Sequence, residues 1–159
     1  MLSAAVASLG ALAAPAMHPG VVDRSVAADR TEPQAEVRTP TKAEQVVAGK
    51  ALYAANCSAC HQADGTGVPG EVPPLAGSDF LANGPEQAVA VVLHGLKGKL
   101  KVHGRTYGSA MPPMFQLTNE ELADVLTFVY NSWGNPGGQI QASDVAAQRY
   151  DRALAPRTK

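Results

Sequence analysis

Cys57-Ser58-Ala59-Cys60-His61 is the most informative segment of this 159-residue chain. It contains both cysteines of the sequence, three positions apart, with a histidine directly after the second. One helical turn places the two thiols where each can add to a different vinyl group of one porphyrin, and the imidazole then projects towards the iron. The pattern C-x-x-C-H is typical of covalent haem c attachment.

Two other uses of a Cys-x-x-Cys pair each require a feature that the sequence lacks. A thioredoxin-like dithiol follows a strand in a βαβ unit, whereas a predicted helix leads into Cys57. A zinc site needs two further ligands, and His18, His94 and His103 form no closely spaced histidine pair. Haem attachment is therefore the interpretation that the residues favour.

A helix is predicted immediately before the motif. Thr41 and Glu44 form a capping box, with Pro40 just outside it, so the helix begins there and runs directly into Cys57. The apolar positions that support it are Val47, Ala51, Leu52 and Ala55.

Two more helices are predicted after the motif. Gly84-Pro85-Glu86 places a proline at the first helical position, and Gly95 ends this second helix. Thr118 and Glu121 form another capping box, and apolar spacing predicts a third helix up to Trp133. The glycine-rich residues 134–138 then stop it.

The remaining segments predict little further structure. Leu100 to Tyr107 alternates apolar and polar residues around His103-Gly104, which indicates a short hairpin. Ser143-Asp144 is expected to cap a short helix that ends at Tyr150. The predicted fold class is all-α, with three to four helices wrapped around one covalently bound haem and a minor hairpin.

Composition limits the class of protein. Hydrophobic residues make up 45% and charged residues 17%, which suits one domain with tails. Aromatic residues are only 5%, so a non-protein group is expected to fill part of the core. A net charge of −1 gives no basic field for nucleic acid, and we exclude nucleic acid as a partner.

The start of the chain resembles an export signal. Residues 1–16 are apolar and end in Ala14-Pro15-Ala16, which has the form of a signal-peptidase site. The run is shorter than the roughly 20 residues that span a bilayer, so a cleaved signal is favoured over a membrane anchor. No basic residue precedes Arg24, so a mis-assigned start or a truncated export segment stays open.

We assign residues 17–40 to a flexible linker, 41–134 to the haem domain and 135–159 to a C-terminal extension with a short helix.

Over residues 44–133 the chain resembles the single-haem class I cytochromes c. The matching features, in family order, are Gly49 and Tyr53 before the Cys57 to His61 motif, Pro73-Pro74-Leu75, Met111-Pro112-Pro113, and a closing helix with Phe128 and Tyr130. The resemblance implies the class I cytochrome c fold, with one haem c and its iron held by Cys57, Cys60 and His61. It also implies a close crossing of the first and last helices, with Gly49 against Phe128 or Tyr130.

The resemblance implies the remaining haem contacts as well. A proline carbonyl, here that of Pro73, accepts a hydrogen bond from Nδ1 of His61, although a plain turn at Pro73-Pro74 is the alternative. Met111 is the expected second iron ligand, because in the family a proline directly follows this methionine. Met114 is then expected to pack against the macrocycle. The alternative ligands that stay open are Met114, His94 and His103.

An iron with two strong protein ligands has no open position for a substrate, which favours an electron carrier over an enzyme. More narrowly, the chain resembles cytochromes associated with, or fused to, copper-containing nitrite reductases. The alternatives are a haem subunit of a dehydrogenase or oxidase complex, and a gas-binding or catalytic haem domain with a displaceable methionine. Haem c is attached on the exported side of the membrane, so a periplasmic location is expected.

A basic strip precedes Met111, and we define it as Lys97, Lys99, Lys101 and Arg105. It either steers docking to an acidic patch on a redox partner or is a solvated loop.

Overall fold

The computed structural model describes residues 38–150. Its elements in chain order are α1 (Lys42–Asn56), α2 (Ser58–His61), a 3-10 turn (Leu81–Asn83), α3 (Pro85–His94), β1 (Leu100–Val102), β2 (Arg105–Tyr107), α4 (Asn119–Tyr130) and α5 (Ala142–Arg149). The predicted helical fold with a minor hairpin is confirmed. The predicted export segment and all but the last three residues of the predicted linker lie outside the described range.

No helix within residues 38–150 has the length and apolar character needed to cross a membrane. The two strands pair in antiparallel fashion, with Val102 opposite Arg105. His103 and Gly104 connect them with φ angles of 49° and 72°, the two positive values of a type I′ hairpin turn.

Both predicted capping boxes are present. In α1 the Thr41 hydroxyl accepts from the Glu44 amide at 3.3 Å, and the Glu44 carboxylate accepts from the Thr41 amide at 2.8 Å. Glu44 also forms an ion pair with Arg38 at 2.6 Å, and the hydrogen bonds from Arg38 and Thr41 lower the pKa of Glu44 to about 2. Thr118 and Glu121 cap α4 in the same way.

Helix α4 ends at Tyr130, earlier than the predicted end at Trp133. The Asn131 side-chain amide donates to the carbonyl of Thr127 at 2.7 Å and to that of Gly138 at 2.6 Å. Such side-chain bonds compete with helical backbone bonds, so the chain turns here before the glycines are reached. Trp133 then has a φ of 51°, outside the helical region.

Helices α1 and α4 cross at Gly49. A Cβ on Gly49 would overlap the carbonyl oxygen of Asp124 and lie 2.8 Å from the Cβ of Phe128. Phe128 is therefore the large partner of Gly49 in this crossing. Tyr130 lies elsewhere, and its hydroxyl donates to the Leu81 carbonyl at 3.1 Å.

The buried face of α1 differs from the apolar positions noted in the sequence. Its buried residues are Gln45, Gly49 and Tyr53, whereas Val47 is 74% exposed. Gln45 can be buried because its Nε2 donates to the carbonyl of Ile140 at 3.1 Å. A polar residue therefore stands at the helix crossing with its hydrogen bond satisfied.

The core continues past residue 134, at which we ended the haem domain. Ile140 and Val145 belong to the same buried cluster as the side chains of α3 and α4. The Ile140 amide also donates to the buried hydroxyl of Thr127 at 3.0 Å. Helix α5 is therefore part of the packed structure, and its N-cap is Gln141 instead of the predicted Ser143.

Candidate haem site

Every residue that we predicted for the site lines one mostly apolar cavity of about 240 Å³. Cys57, Cys60, His61, Pro73 and Met111 all line it. Apolar side chains from α3, the hairpin and α4 complete the walls, including Val91, Leu100, Val102, Val125 and Val129. Segments far apart in sequence therefore meet around one apolar space.

The cysteine pair lies where α1 meets α2. Cys57 ends α1, its amide donating to the Tyr53 carbonyl at 2.9 Å, and its own carbonyl accepts from the amides of Cys60 and His61 at 3.1 and 2.9 Å. The motif is thus one helical turn, as expected. Neither thiol is in a disulfide, and burial raises the pKa of Cys57 to about 11, so this thiol is protonated at neutral pH.

His61 is buried and held by the loop that follows it. Its Nδ1 lies 3.2 Å from the carbonyl oxygen of Pro73, and with the proton on Nδ1 the lone pair stands on Nε2. Burial lowers the pKa of His61, which favours the neutral imidazole that binds metals. The Gly67 amide in turn donates to the His61 carbonyl at 3.0 Å.

Gly67 lets the loop bring the Pro73 carbonyl close to the histidine. Its φ is +67°, and a Cβ there would overlap the Val72 carbonyl oxygen and lie 2.7 Å from that of Pro73. A side chain at this position would therefore push the acceptor of the His61 hydrogen bond away. No local pattern in the sequence indicates this role of Gly67.

Met111 is fixed through its backbone to the end of α3. The amides of Leu96 and Met111 each donate to the other residue's carbonyl at 2.9 Å. Gly95 allows this approach, because a Cβ there would lie 2.7 Å from the Met111 carbonyl oxygen and 3.0 Å from the Pro113 nitrogen. The sequence indicated Gly95 only as a helix end, since a contact between separate segments leaves no local signal.

The alternative ligands differ in where they lie. Met114 also lines the cavity, and its amide donates to the Val92 carbonyl at 2.8 Å. His94 is outside the lining, with its Nε2 3.3 Å from the Gln148 carbonyl oxygen. His103 is exposed in the hairpin turn, where its amide donates to the Asp79 carboxylate at 3.0 Å. Met111 and Met114 therefore both line the cavity, and His94 and His103 lie outside its lining.

A zinc site has no support in the described part of the chain. Between residues 38 and 150 no three His, Cys, Asp or Glu side chains are grouped so that they could hold a metal ion. Cys57 joins α1 to α2 and Cys60 lies within α2, so neither cysteine follows a strand as a thioredoxin-like dithiol does.

Three aromatic rings support the cysteine turn. Tyr53, Phe128 and Trp133 contact one another with ring centroids 5.1 to 5.5 Å apart. The Tyr53 hydroxyl donates to the Gln62 carbonyl, just after the motif, at 2.7 Å. Trp133 also packs directly on Gly65, where a Cβ would lie 2.6 Å from the indole ring. No local pattern in the sequence indicates these roles of Trp133 and Gly65, because they depend on tertiary packing.

These residues fit a covalently held haem. Two thiols stand one helical turn apart, a neutral imidazole is oriented by a carbonyl, and a thioether lines the same apolar cavity. Apolar walls suit a porphyrin, and the nitrogen and sulfur donors suit its iron.

Comparisons with known proteins agree with the site. A model of the cytochrome c family matches residues 46–133. Cytochrome c-552 of Thermus thermophilus is 42% identical over 91 residues, which cover 55% of this chain and 69% of that protein. In a second cytochrome c-552 of the same species, a match of the same length and identity covers 61% of the relative.

Cytochrome subunits of dehydrogenases are also similar. The cytochrome c subunit of the quinone alcohol dehydrogenase of Gluconobacter oxydans is 37% identical over 112 residues, which cover 68% of this chain. The match spans only 23% of that subunit, so this chain corresponds to about a quarter of its length. From the family match and the cavity together, the chain belongs to the cytochrome c family, as a single-haem electron carrier whose cofactor is covalently bound haem c.

Proposed function

We propose that this protein carries single electrons between periplasmic redox proteins, with His61 and Met111 as the two ligands of its haem iron. Cys57 and Cys60 form the thioether links, and Pro73 orients the histidine. The observation that supports this assignment is that all five residues line one apolar cavity, from which His94 and His103 are absent. When bound, the haem supplies reversible one-electron chemistry at its iron.

Each side chain has a distinct part in this function. The hydrogen bond to the Pro73 carbonyl holds the proton of His61 on Nδ1, leaves Nε2 as donor and increases the basicity of the ring. The soft thioether of Met111 favours ferrous iron and raises the reduction potential. The apolar walls exclude water, and two protein ligands leave no position for a substrate.

Absorption spectroscopy of methionine variants tests the ligand assignment. The oxidised wild type is expected to show a weak long-wavelength sulfur-to-iron band, which Met111→Ala abolishes and Met114→Ala, the matched control, retains. Carbon monoxide should bind the reduced Met111→Ala variant much faster than the wild type. If the reduced wild type binds carbon monoxide readily, the gas-binding alternative replaces the carrier. If Met114→Ala abolishes the band, the assigned ligand is wrong.

We propose a dehydrogenase-type protein as the electron donor. The similarity to the cytochrome subunits of the quinone alcohol dehydrogenase and of the gluconate 2-dehydrogenase of Pantoea cypripedii supports this choice. Electron delivery to a copper nitrite reductase has only the sequence resemblance in its favour. Stopped-flow kinetics of the purified holoprotein with a dehydrogenase, an oxidase and a nitrite reductase test the choice, and fast exchange with the nitrite reductase alone contradicts it.

We propose that the basic strip is the docking surface for an acidic patch on the partner. Its four side chains are exposed and alternate along the chain with Leu96, Leu100 and Val102, which line the cavity, so the strip borders the cavity. Within residues 38–150 the one ion pair is that of Arg38 and Glu44, so none of the four basic side chains forms an ion pair in that range. The Asp79 carboxylate accepts from the backbone amide of His103, between Lys101 and Arg105.

Charge reversal tests the docking surface. Lys99→Glu with Lys101→Glu should lower the association rate with an acidic partner about tenfold or more at low ionic strength, and added salt should reduce the difference. Lys50→Glu, an exposed lysine on α1, is the control. An equal loss in the control, or no loss in the double variant, supports the alternative of a solvated loop.

The periplasmic location also follows from the proposed attachment chemistry, because haem c is attached on the exported side of the membrane. Cell fractionation with haem staining tests it. Haem-stained protein confined to the cytoplasmic fraction contradicts the location.

A further inference from the structure

Helix α5 lies outside residues 46–133, the part of the chain that the family model matches, yet it contacts the segment that carries Met111. It is anchored in the core by Val145, which has no exposed surface, and by Gln148, which is 7% exposed. The last residue of the helix is Arg149. Its guanidinium reaches the chain that follows Met111.

Arg149 makes three hydrogen bonds to that chain. Its Nη2 donates to the Leu117 carbonyl at 2.8 Å, its Nε to the Asn119 side-chain oxygen at 2.6 Å, and its Nη1 to the Phe115 carbonyl at 3.4 Å. All three acceptors are neutral. A guanidinium presents its donors in a rigid planar fork, so one side chain fixes the relative positions of these three groups.

The segment held in this way has no regular structure of its own. Residues 112–118 form turns and irregular backbone between Met111 and α4. At its start, Met111 is paired with Leu96, and the Met114 amide donates to the Val92 carbonyl at 2.8 Å. At its end, the Leu117 side chain is 8% exposed and belongs to the buried core cluster, and Arg149 donates to the Leu117 carbonyl. Arg149 therefore adds a hydrogen-bonded anchor to an irregular loop that Leu117 anchors through apolar packing.

Helix α5 also reaches the opposite side of the Leu96 to Met111 pairing. The Nε2 of His94 lies 3.3 Å from the Gln148 carbonyl oxygen, at the end of α3 directly before Gly95 and Leu96. Consecutive residues of α5 thus contact the chain before Leu96 and the chain after Met111. Helix α5 therefore connects the two segments, before Leu96 and after Met111, that form the methionine side of the cavity.

We propose that Arg149 is a positioning residue for the methionine ligand: by holding residues 115–119 against α5, it keeps Met111 from leaving the iron. This inference rests on the proposed ligation by Met111. Without Arg149, the segment keeps its pairing with Leu96 and the packing of Leu117 but loses its hydrogen bonds to α5, so the thioether is displaced more easily by an external ligand.

Imidazole binding to the oxidised holoprotein measures this restraint, because imidazole competes with the thioether for the iron. Arg149→Ala should raise the apparent affinity for imidazole about tenfold, which corresponds to about 1.4 kcal/mol. The sulfur-to-iron band should weaken in the same titration. Arg149→Lys keeps the charge but not the fork, so its affinity should lie between those of the wild type and Arg149→Ala.

Two controls separate positioning from general effects. Thr41→Ala removes the cap of α1 and lowers overall stability without touching the Met111 segment, and Arg38→Ala removes an exposed guanidinium whose hydrogen bonds go to Glu44. Both should keep the wild-type imidazole affinity. If Thr41→Ala raises the affinity as much as Arg149→Ala does, loss of stability alone explains the effect and the proposal is wrong.

The remaining outcomes are also decisive. If Arg149→Ala does not accumulate as holoprotein, Arg149→Lys carries the test, and an affinity equal to that of the wild type overturns the proposal. If the wild type has a normal sulfur-to-iron band and Arg149→Ala has the wild-type imidazole affinity, only the positioning role is refuted. A wild type without the band refutes ligation by Met111, on which the role depends.

Discussion

Replacing Gly95 by alanine should loosen the methionine side of the haem site. Gly95 has φ 73° and ψ 176°, a region that is essentially restricted to glycine, so the backbone alone costs about 1–3 kcal/mol. The added Cβ would also lie 2.7 Å from the Met111 carbonyl oxygen and 3.1 Å from Cδ of Pro113. These are backbone and ring atoms, which cannot rotate away as a flexible side chain can. The chain can relieve these contacts by moving the Met111 backbone or the Pro113 ring, and either shift displaces the methionine segment from the end of α3.

Gly95→Ala is therefore expected to weaken the sulfur-to-iron band and to raise the imidazole affinity of the oxidised protein about tenfold or more. Gly104→Ala is the matched control, since Gly104 also has a left-handed φ, of +72°, but nothing lies within 4 Å of an added Cβ. The control should lose about 1–2 kcal/mol of unfolding free energy in a denaturant titration and keep the band. A normal band in Gly95→Ala, or a lost band in Gly104→Ala, would refute this reasoning.

Three further substitutions or conditions have defined outcomes. Gly49→Ala should lower the unfolding free energy by about 1–3 kcal/mol or more, because its Cβ overlaps the Asp124 carbonyl oxygen in the helix crossing; denaturant unfolding of the holoprotein measures this, and an unchanged midpoint contradicts it. Gly67→Ala should move the Pro73 carbonyl, weaken the hydrogen bond to the iron-binding imidazole and raise the reduction potential in a redox titration, since a less basic ligand stabilises ferric iron less; a lowered potential would count against the role assigned to this hydrogen bond. The pKa of Glu44 is lowered on folding to about 2, so its contribution to stability is present above its unfolded pKa of about 4.3 and is lost as the pH falls through about 2. The difference in unfolding free energy between the wild type and Glu44→Gln should therefore shrink as the pH falls from about 4.3 to about 2, and a constant difference would contradict the coupling.

Local features of this fold could be predicted from the sequence because neighbouring residues determine them. The capping boxes at Thr41 and Thr118 and the hairpin turn at His103-Gly104 each depend on a few consecutive residues, and the structure has all three. The cysteine turn is likewise a local helical feature. These predictions needed no knowledge of what packs against each segment.

Features that depend on tertiary contacts were missed or placed wrongly. The first helix buries Gln45 because a carbonyl from residue 140 reaches it, and no pattern within the helix indicates that acceptor. The core includes Val145, beyond the predicted domain end, because α5 packs on α3 and α4. Gly67 and Gly95 were not assigned their roles because the carbonyls they approach come from separate turns of the chain.

The candidate site follows the same division. The five predicted site residues could be chosen because the haem motif and the methionine loop each carry strong local patterns. All five line one cavity. The groups that hold these residues in place, such as Arg149 and Trp133, are contributed by segments outside those patterns. Roles of that kind depend on the folded structure.

The most direct measurement of the ligand assignment is an NMR spectrum of the reduced holoprotein labelled at its methionine methyl groups. A methyl group bound through sulfur to the iron lies over the porphyrin face, where the ring current shifts its resonance strongly upfield. We predict one such resonance, absent from Met111→Leu and retained in Met114→Leu. Its absence from the wild type, or its loss in Met114→Leu alone, would contradict ligation by Met111.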